Sequence, residues 1–406
     1  MTASFRYRGL TLLVFCMYVF WGSFGIDQTL HPGTERFPLH RVFILLTAFV
    51  FLFNARQTLV ACLKNKLLIA LLFYVLLTAA WAYQASEAIK NFVFLASATL
   101  ISIMAALAYA DNRTVLIRRL FWLFFLMTMA SAITALFFPG LGVNAIDFGK
   151  PRWVGITAHP NGLGTQGLTT IWLSANLFFL TKSKLEKQLV LTAIAAGFFA
   201  IIKADSMTSF VTSLAIVSYV CYCHLIGRFN FSVRLMFYFI AAIGFAIVVT
   251  FYMSTSEIAN SALQSTGRNA TFTGRSLLWH KAFMAIANNL FSGYGFDDLE
   301  PLSRKYHILM SHLHNGYIEI LVKGGLIAAT ILISVLLKTL FKQLKIKSSR
   351  KQDFIFLNTG LIMVLLHNVT ESSMLRGLST LSVFLLFIIV STSLLPSEPE
   401  NNAKEA

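Results

Sequence analysis

Two histidines at the start of a long apolar segment are the first residues in this chain whose type and position could do chemistry. His312 and His314 lie two residues apart, and the apolar segment 314–337 follows. A neutral imidazole there is suited to take a proton from a hydroxyl group, because its ordinary pKa is close to neutral pH. The pair could also contribute to a zinc site, although zinc would need one or two more ligands. A structural histidine at a helix start is the third interpretation, and the spacing alone leaves all three open.

Fixed positive charge occurs in two other stretches of the chain. Thr273 is a natural N-cap for an amphipathic helix that begins near Arg275. Free backbone N–H groups and a guanidinium would meet at that helix end and form an anion site suited to phosphate. Lys150 and Arg152 supply a second cationic point ahead of Asn161, where Pro-Asn-Gly marks a tight entry into another helix. The alternative for these cations is contact with lipid headgroups.

The rest of the sequence must hold these residues in a membrane. Of the 406 residues, 57% are apolar and only 12% are charged, whereas soluble domains have about 25% charged residues. The apolar residues recur in blocks of about 16–25, long enough to cross about 30 Å of hydrocarbon. This excludes a soluble globule and predicts an all-α, polytopic membrane protein. The predicted spans, about twelve in number, are 10–26, 39–54, 66–83, 91–110, 119–138, 163–181, 188–203, 207–226, 233–253, 314–337, 354–371 and 377–395.

The distribution of lysine and arginine predicts the orientation of these spans. Most of the 33 basic residues fall on one side if the amino terminus is cytoplasmic, as expected for the inner side of a membrane. Both termini, including the polar tail 396–406, are then cytoplasmic, and residues 1–395 form one transmembrane domain. The stretches 139–162 and 254–313 form a short and a long outer loop. Topology and anionic headgroups explain most of the net charge of +16, so we expect no nucleic-acid binding.

Several ionisable residues lie within or beside the predicted spans. Such groups are functional candidates because burying a charge in a membrane is costly. Glu371, at the outer connection of the last two spans, could orient His314 or Arg275. Glu319 and Lys323 are four residues apart, the favourable order for an ion pair on one helix, and we interpret them as structural.

An acidic turn could bind a cation. The segment 291–300 carries two glycines, which allow a sharp reversal, and the carboxylates Asp297, Asp298 and Glu300. Clustered carboxylates can bind a divalent ion, but three acids in one turn more often form a solvated surface. We therefore predict no metal site.

Three short patches, in this order along the chain, resemble the recurrent motifs of the O-antigen ligase and Wzy-type polymerase superfamily. They are Gly155-Ile-Thr-Ala-His-Pro-Asn161-Gly, Thr273-Gly-Arg275-Ser-Leu-Leu-Trp279, and His314-Asn315 followed after nine residues by Gly325. The patches stand on a polytopic chain with a long outer loop in the expected place, which makes the resemblance specific. It covers residues 150–380, while the earlier segments are similar only in being apolar.

The resemblance implies both a fold and a function. Members of the superfamily have a helical, GT-C-like membrane fold and act at the periplasmic face of the bacterial inner membrane. They transfer a glycan from an undecaprenyl-diphosphate carrier to a hydroxyl of an acceptor glycan or of the lipid A core, without a metal, a cofactor or a nucleotide sugar. This implies a glycosyltransferase in surface polysaccharide or lipopolysaccharide biosynthesis, with membrane lipids around it.

The resemblance also assigns roles to residues. The motif histidine corresponds to His314, which would be the general base. Arg275 and Arg152 would hold the diphosphate and stabilise the charge that develops on it. One base and no enzyme nucleophile imply direct displacement with inversion at the sugar. The remaining substrate-binding candidates are Lys203, Asn161, His312, Asn315 and Glu371.

One departure from the family pattern concerns positive charge. The family commonly has a basic residue where this chain has Met207, within Asp205-Ser-Met-Thr. Lys203, one turn earlier, could replace that charge. Alternatively, Asp205 could pair with Lys203 and leave the role unfilled, and the sequence leaves both options open.

A second class of function is a membrane transporter or a flippase for lipid-linked glycans. A transporter would have broken helices around a site at the middle of the membrane, whereas the interrupted and cationic segments here fall in the predicted outer loops. Among glycosyltransferases, the motifs do not distinguish ligation to lipid A core, polymerisation of repeat units and transfer to protein. The first patch is slightly closer to exopolysaccharide polymerases.

Overall fold

The computed structural model describes residues 5–22, 24, 39–144, 151–225, 275–306, 312–346 and 348–396. Some predicted features lie outside these residues. They are the ninth predicted span at 233–253, most of the long loop 254–313, Lys150, the N-cap Thr273 and the tail after residue 396.

The described residues fold mainly into helices, as the apolar blocks predict. They also contain a short antiparallel ribbon, β1 (Val143–Asn144) and β2 (Arg152–Trp153). The helices are α1 (Arg8–Trp21), α2 (Leu39–Lys64), α3 (Lys66–Leu77), α4 (Ala85–Ala108), α5 (Arg113–Phe137), α6 (Pro160–Leu180), α7 (Lys184–Lys203), α8 (Met207–Leu225), α9 (Arg275–Asn288), α10 (Glu300–Tyr306), α11 (Gly316–Leu344), α12 (Lys351–His367) and α13 (Thr380–Leu394), with single turns at Thr78–Ala80, Pro139–Gly142 and Ser348–Arg350.

The length and composition of the helices suit a membrane. Six of the described helices are long and apolar enough to cross one, namely α2, α4, α5, α7, α8 and α11. Three others, α1, α3 and α13, are apolar but shorter. The prediction of an all-α membrane protein is confirmed, while the count of twelve spans stays a prediction.

Helix α2 extends past the predicted end of the second span. The sequence predicts a polar connection after residue 54, but the helix continues to Lys64 with a kink at Asn54, where φ is −127° and ψ is 18°. The Asn54 amide donates to the carbonyl oxygens of Arg6 and Val50, at 3.1 and 3.0 Å. Residues 55–64 contain no glycine or proline, so no residue among them favours ending the helix.

Helix α11 is interrupted within its first half. Gly325 has φ 61° and ψ −164°, a conformation that residues with a side chain rarely adopt. The glycine-rich turn 289–296 binds the backbone groups that the break leaves free; for example, the N–H of Tyr294 donates to the carbonyl of Val322 at 2.9 Å. Backbone groups within a membrane must find protein partners, so the turn docks against the broken helix.

Trp172 of α6, the largest fully buried side chain among the described residues, packs against α12 and α13. The indole of Trp172 stacks on Phe356, with ring centroids 4.7 Å apart, and meets Phe384 edge to face at 5.2 Å. Its Nε1–H donates to Thr359 Oγ1 at 3.0 Å, which satisfies the polar atom of this buried ring. Because Gly360 lacks a Cβ, the indole can pack against its backbone. This Trp172 core fixes the relative positions of three helices whose ends carry the candidate site.

Candidate active site

Four segments meet at one end of the bundle, beyond the Trp172 core: the starts of α6, α9 and α11, and the loop 368–379. Glu371 lies in this loop, and its side chain is 14% exposed. Its Oε1 accepts from Asn161 Nδ2 at 2.7 Å and from Arg275 Nη2 at 3.1 Å, and its Oε2 lies 3.3 Å from His314 Nδ1. Three residues that the sequence singles out separately therefore contact one carboxylate.

The Glu371 carboxylate is ionised at neutral pH. Burial raises the pKa of this carboxyl group, but the hydrogen bond from His314 and the positive charge of Arg275 outweigh burial and hold the pKa at about 2. An anionic acceptor beside Nδ1 favours the tautomer that carries its proton on Nδ1, which leaves the lone pair of Nε2 able to accept a proton. The arrangement suits a carboxylate-oriented general base.

The backbone at His314 is strained and is held by its neighbours. Its φ is 48°, in the left-handed region. The next residue, Asn315, caps α11: its Oδ1 accepts the N–H groups of Tyr317 and Ile318, both at 3.0 Å. The Asn315 amide also donates to the carbonyl of Val369 at 2.9 Å. The Asn315 side chain therefore fixes the backbone beside His314, whereas its predicted contact with substrate stays a prediction.

Glycine at position 316 brings this backbone close to the loop 368–379. The N–H of Gly316 donates to the carbonyl oxygens of Asn368 and Glu371, at 2.9 and 3.0 Å. A Cβ at this position would collide with the Asn368 side chain. Close approach of the two backbones places His314 within reach of the Glu371 carboxylate.

Arg275 is the first residue of α9, and the same loop orients its guanidinium. Nη1 donates to the carbonyl of Thr370 at 2.6 Å, and Nη2 donates to Glu371. The side chain is 15% exposed. Since a guanidinium has five N–H donors, Arg275 can hold these two acceptors and still donate to a bound oxyanion.

Arg152 is held mainly by backbone carbonyls. Its side chain extends from β2 and the residue is 8% exposed. Nε donates to the carbonyl of Ala204 at 2.9 Å, and Nη2 donates to the carbonyl of Asp205 and to Asn161 Oδ1, both at 3.2 Å. These carbonyls lie at the end of α7, where the helix dipole attracts a cation. Arg152 thus reaches Glu371 through Asn161, and its contact with a diphosphate stays a prediction.

Lys203 is exposed at this end of the bundle. Its ammonium lies 5.7 Å from the ring centres of both Trp153 and Phe199. Met207, where the family commonly has a basic residue, is 55% exposed. That Lys203 replaces the missing charge stays a prediction.

His312 lines a different space from the Glu371 contacts. Its ring centroid lies 5.4 Å from that of His314. A cavity of about 440 Å³ is lined by His312, Glu319, Lys323 and Arg376, among others. Glu319 pairs with Arg376 Nη2 at 2.8 Å and with Lys323 Nζ at 3.6 Å. The predicted helical ion pair is therefore present, and it gains Arg376 as a third member.

The first two carboxylates of the acidic turn have different surroundings. Asp297 is buried, where burial raises its pKa, and it accepts the N–H of Gln84 at 2.8 Å. Asp298 is exposed and lines the cavity just described. Within the part of the chain that the structure describes, no three His, Cys, Asp or Glu side chains are grouped so as to hold a metal ion.

The loop 368–379 carries contacts that no local pattern predicts. The carbonyl of Thr370 orients Arg275, Ser372 Oγ accepts the N–H of Asn315 at 3.0 Å, and the buried Asn368 accepts two loop N–H groups at 2.8 and 3.0 Å. The polar run Thr-Glu-Ser-Ser between two apolar segments is the signal that could have identified this loop.

Comparison with known proteins agrees with the motifs. A family model described as O-antigen ligase matches residues 169–333, which include Lys203, Arg275 and His314 but not Glu371. The exopolysaccharide production protein ExoQ of Rhizobium meliloti (strain 1021) is 27% identical over 219 residues, which are 50% of this chain and 50% of that protein. The match therefore spans only half the length of the relative. With the three motif patches, these matches show that the chain, a multi-pass membrane protein, is similar to proteins of the O-antigen ligase and Wzy-type family.

Proposed function

We propose that the protein is a glycosyltransferase that moves a glycan from an undecaprenyl-diphosphate carrier to an acceptor hydroxyl. The observation that carries this proposal is the contact of one ionised carboxylate, Glu371, with both His314 and Arg275. The contact joins a candidate base to a candidate phosphate ligand, and transfer from a lipid diphosphate needs both.

His314 acts as the general base in this proposal. Glu371 holds Nδ1, so Nε2 takes the proton of the acceptor hydroxyl while the hydroxyl oxygen attacks the anomeric carbon. The bond between that carbon and the diphosphate oxygen breaks, and its electron pair leaves with the carrier diphosphate. The proton ends on His314 and the new negative charge ends on the diphosphate.

Arg275 stabilises that developing charge. Its guanidinium is already oriented by Thr370 and Glu371, so little reorganisation is needed when a phosphate oxygen arrives. Lys203 would add a second positive charge from the surface. Arg152 would act indirectly, because it holds Asn161 against Glu371.

A single displacement inverts the configuration at the anomeric carbon. Retention would require a carboxylate that attacks the sugar as a nucleophile. Both oxygens of Glu371 are engaged by Asn161, Arg275 and His314, which favours an orienting role for this carboxylate. The inverting route therefore suits these contacts better.

We also propose that the site faces the periplasm, across a bacterial inner membrane. Arg113 and Arg118 lie in the first turns of α5, and Lys338 and Lys342 lie in the last turns of α11, all at helix ends remote from the site. Basic residues concentrate on the cytoplasmic side of membrane proteins. An outward-facing site agrees with this distribution.

Within this function, polymerisation of exopolysaccharide repeat units is the variant we favour. The relative ExoQ is named for exopolysaccharide production. The acceptor would then be a second carrier-linked glycan, with lipid A core as the alternative.

A transporter or flippase is the second candidate, because α11 is broken at Gly325 and broken helices are typical of transporters. In transporters the freed backbone groups contact the solute. Here, backbone groups at the break bond to the turn 289–296. The break therefore supports docking of this turn more than solute binding.

Reconstitution tests the proposed function. Purified protein in lipid vesicles, supplied with undecaprenyl-diphosphate-linked oligosaccharide, should form longer glycans, which gel electrophoresis would size. A ladder formed without lipid A core indicates a polymerase, and a single addition to the core indicates a ligase. Movement of the intact lipid-linked glycan across the bilayer, with no new glycosidic bond, would establish the transporter instead.

Arg275→Lys should lower kcat/KM for the lipid-linked donor by about 100-fold. Lysine keeps the charge, but its compact ammonium lacks the planar fork whose separate nitrogens contact Thr370 and Glu371 and leave a further N–H for a phosphate oxygen. Initial rates over a range of donor concentrations measure this effect. Arg304→Lys, at an exposed position on α10, is the matched control and should keep the wild-type rate. Full activity of Arg275→Lys would show that a point charge is sufficient.

A further inference from the structure

The cavity lined by His312 is separate from the contacts around Glu371. None of Arg275, His314 or Glu371 lines it. Its volume of about 440 Å³ lies within the range of sites that bind small molecules. The start of α11, the acidic turn, the loop 368–379, α4 and Val75 of α3 form its walls. The proposed roles of His314 and Arg275 leave this cavity without a function.

The charges that line this cavity balance. Arg376 and Lys323 are the two cations, and both pair with Glu319. The exposed Asp298 supplies a second carboxylate. A lipid diphosphate would require an excess of positive charge, whereas balanced donors and acceptors suit an uncharged ligand with many hydroxyl groups.

The cavity also offers aromatic surface. Phe94 and Phe296 line it together with His312. Sugar rings have hydroxyl groups at their edges and C–H groups on their faces, so they pack on aromatic rings while their edges form hydrogen bonds. Paired charges and the amide of Asn91, beside aromatic rings, therefore match a saccharide better than they match a lipid chain or a phosphate.

The cavity and the proposed base share one stretch of backbone. His312 faces the cavity, and its ring centroid lies 5.4 Å from that of His314. Between them, the N–H of Leu313 donates to Glu319 Oε2 at 3.4 Å, which ties this backbone to the cavity wall. A saccharide bound in the cavity would have its end close to His314.

We propose that this cavity binds the acceptor, as the uncharged end of an oligosaccharide whose hydroxyl group is delivered to His314. The inference rests on the proposed glycosyltransferase function and deepens it. Donor and acceptor are held by separate groups of residues: the donor diphosphate by Arg275, and the acceptor saccharide by the pocket around Glu319, Arg376 and His312.

Filling the cavity tests this assignment. Ser379 lines it, and its side chain makes no capping hydrogen bond, so Ser379→Trp adds an indole without removing an ion pair. The acceptor probe is the methyl glycoside of the neutral repeat-unit oligosaccharide from the host's surface polysaccharide. We expect its KM to rise at least about tenfold, with the KM for the lipid-linked donor changed less than about twofold.

Two further variants make the test specific. Ser218→Trp places the same residue on an exposed face of α8 and should leave both KM values unchanged. Asp298→Asn changes an exposed cavity carboxylate and should raise the acceptor KM about threefold. If Ser379→Trp does not fold, the acceptor KM of Asp298→Asn tests whether the cavity binds the acceptor.

Direct binding separates the possible outcomes. Titration of the same glycoside into donor-free protein in nanodiscs should show saturable binding by the wild type and by Arg275→Lys, and much weaker binding by Ser379→Trp. Unchanged binding and unchanged acceptor KM in both folded cavity variants would overturn this inference but leave glycosyl transfer intact. A wild-type protein that transfers no glycan would instead overturn the proposed function, and the titration alone would then decide whether the cavity takes a saccharide.

Discussion

Glu371→Gln should lower the rate of glycan transfer by about a thousandfold. Glutamine has the shape of glutamate, but it is neutral and can present its NH2 group to Nδ1 of His314. Nδ1 would then accept a hydrogen bond and Nε2 would carry the proton, so the general base would be lost. Arg275 would also lose the charge that now lies 3.1 Å from its Nη2.

Single-turnover rates at saturating donor and acceptor measure this loss, because it should appear mainly in kcat. Glu87→Gln is the matched control, since it removes a carboxylate from a surface pair with Lys90 at 3.1 Å. This control should transfer glycan at the wild-type rate. A folded Glu371→Gln protein that keeps more than about a tenth of wild-type kcat would show that the carboxylate is not needed to orient the base.

His314→Asn should also reduce transfer by about a thousandfold, within the range expected when a general base is removed. Asparagine is the suitable replacement because the φ of 48° at this position disfavours most residues with a side chain, and asparagine tolerates it better than most. The variant should therefore fold and insert while it lacks a group that can take the acceptor proton. Product formation in reconstituted vesicles measures its activity, and thermal unfolding in detergent measures its folding.

His280→Asn provides the comparison for this experiment. His280 lies on α9 and is exposed, so its loss removes an imidazole from the same protein without touching the Glu371 contacts. The His280→Asn protein should transfer glycan at the wild-type rate. Normal turnover by His314→Asn would mean that another group takes the proton and would remove His314 from the mechanism.

The fold class follows from local sequence because the membrane leaves few alternatives. Apolar blocks in lipid must satisfy their backbone groups internally, and a helix does this within one segment. The positions at which individual helices end, kink or break were less predictable. The kink of α2 at Asn54 goes with a contact of that side chain to Arg6, 48 residues away, and the break at Gly325 goes with the turn that docks there.

Residue type and local motif were also enough to single out His314, Arg275 and Asn161, because few side chains can serve as a base or hold a phosphate. Their meeting at Glu371 was decided by the tertiary structure. Glu371 is 57, 96 and 210 residues from these three partners along the chain. No local pattern specifies contacts over such separations.

The difference between local motif and tertiary packing also explains why some side chains have partners other than those that the sequence predicts. Arg152 is held by the carbonyls of Ala204 and Asp205, and His312 faces a cavity beside Glu319. An arginine or a histidine can bond to many kinds of acceptor. The sequence determined which chemical groups this protein has, whereas the packing of its helix ends decided which partner each group took.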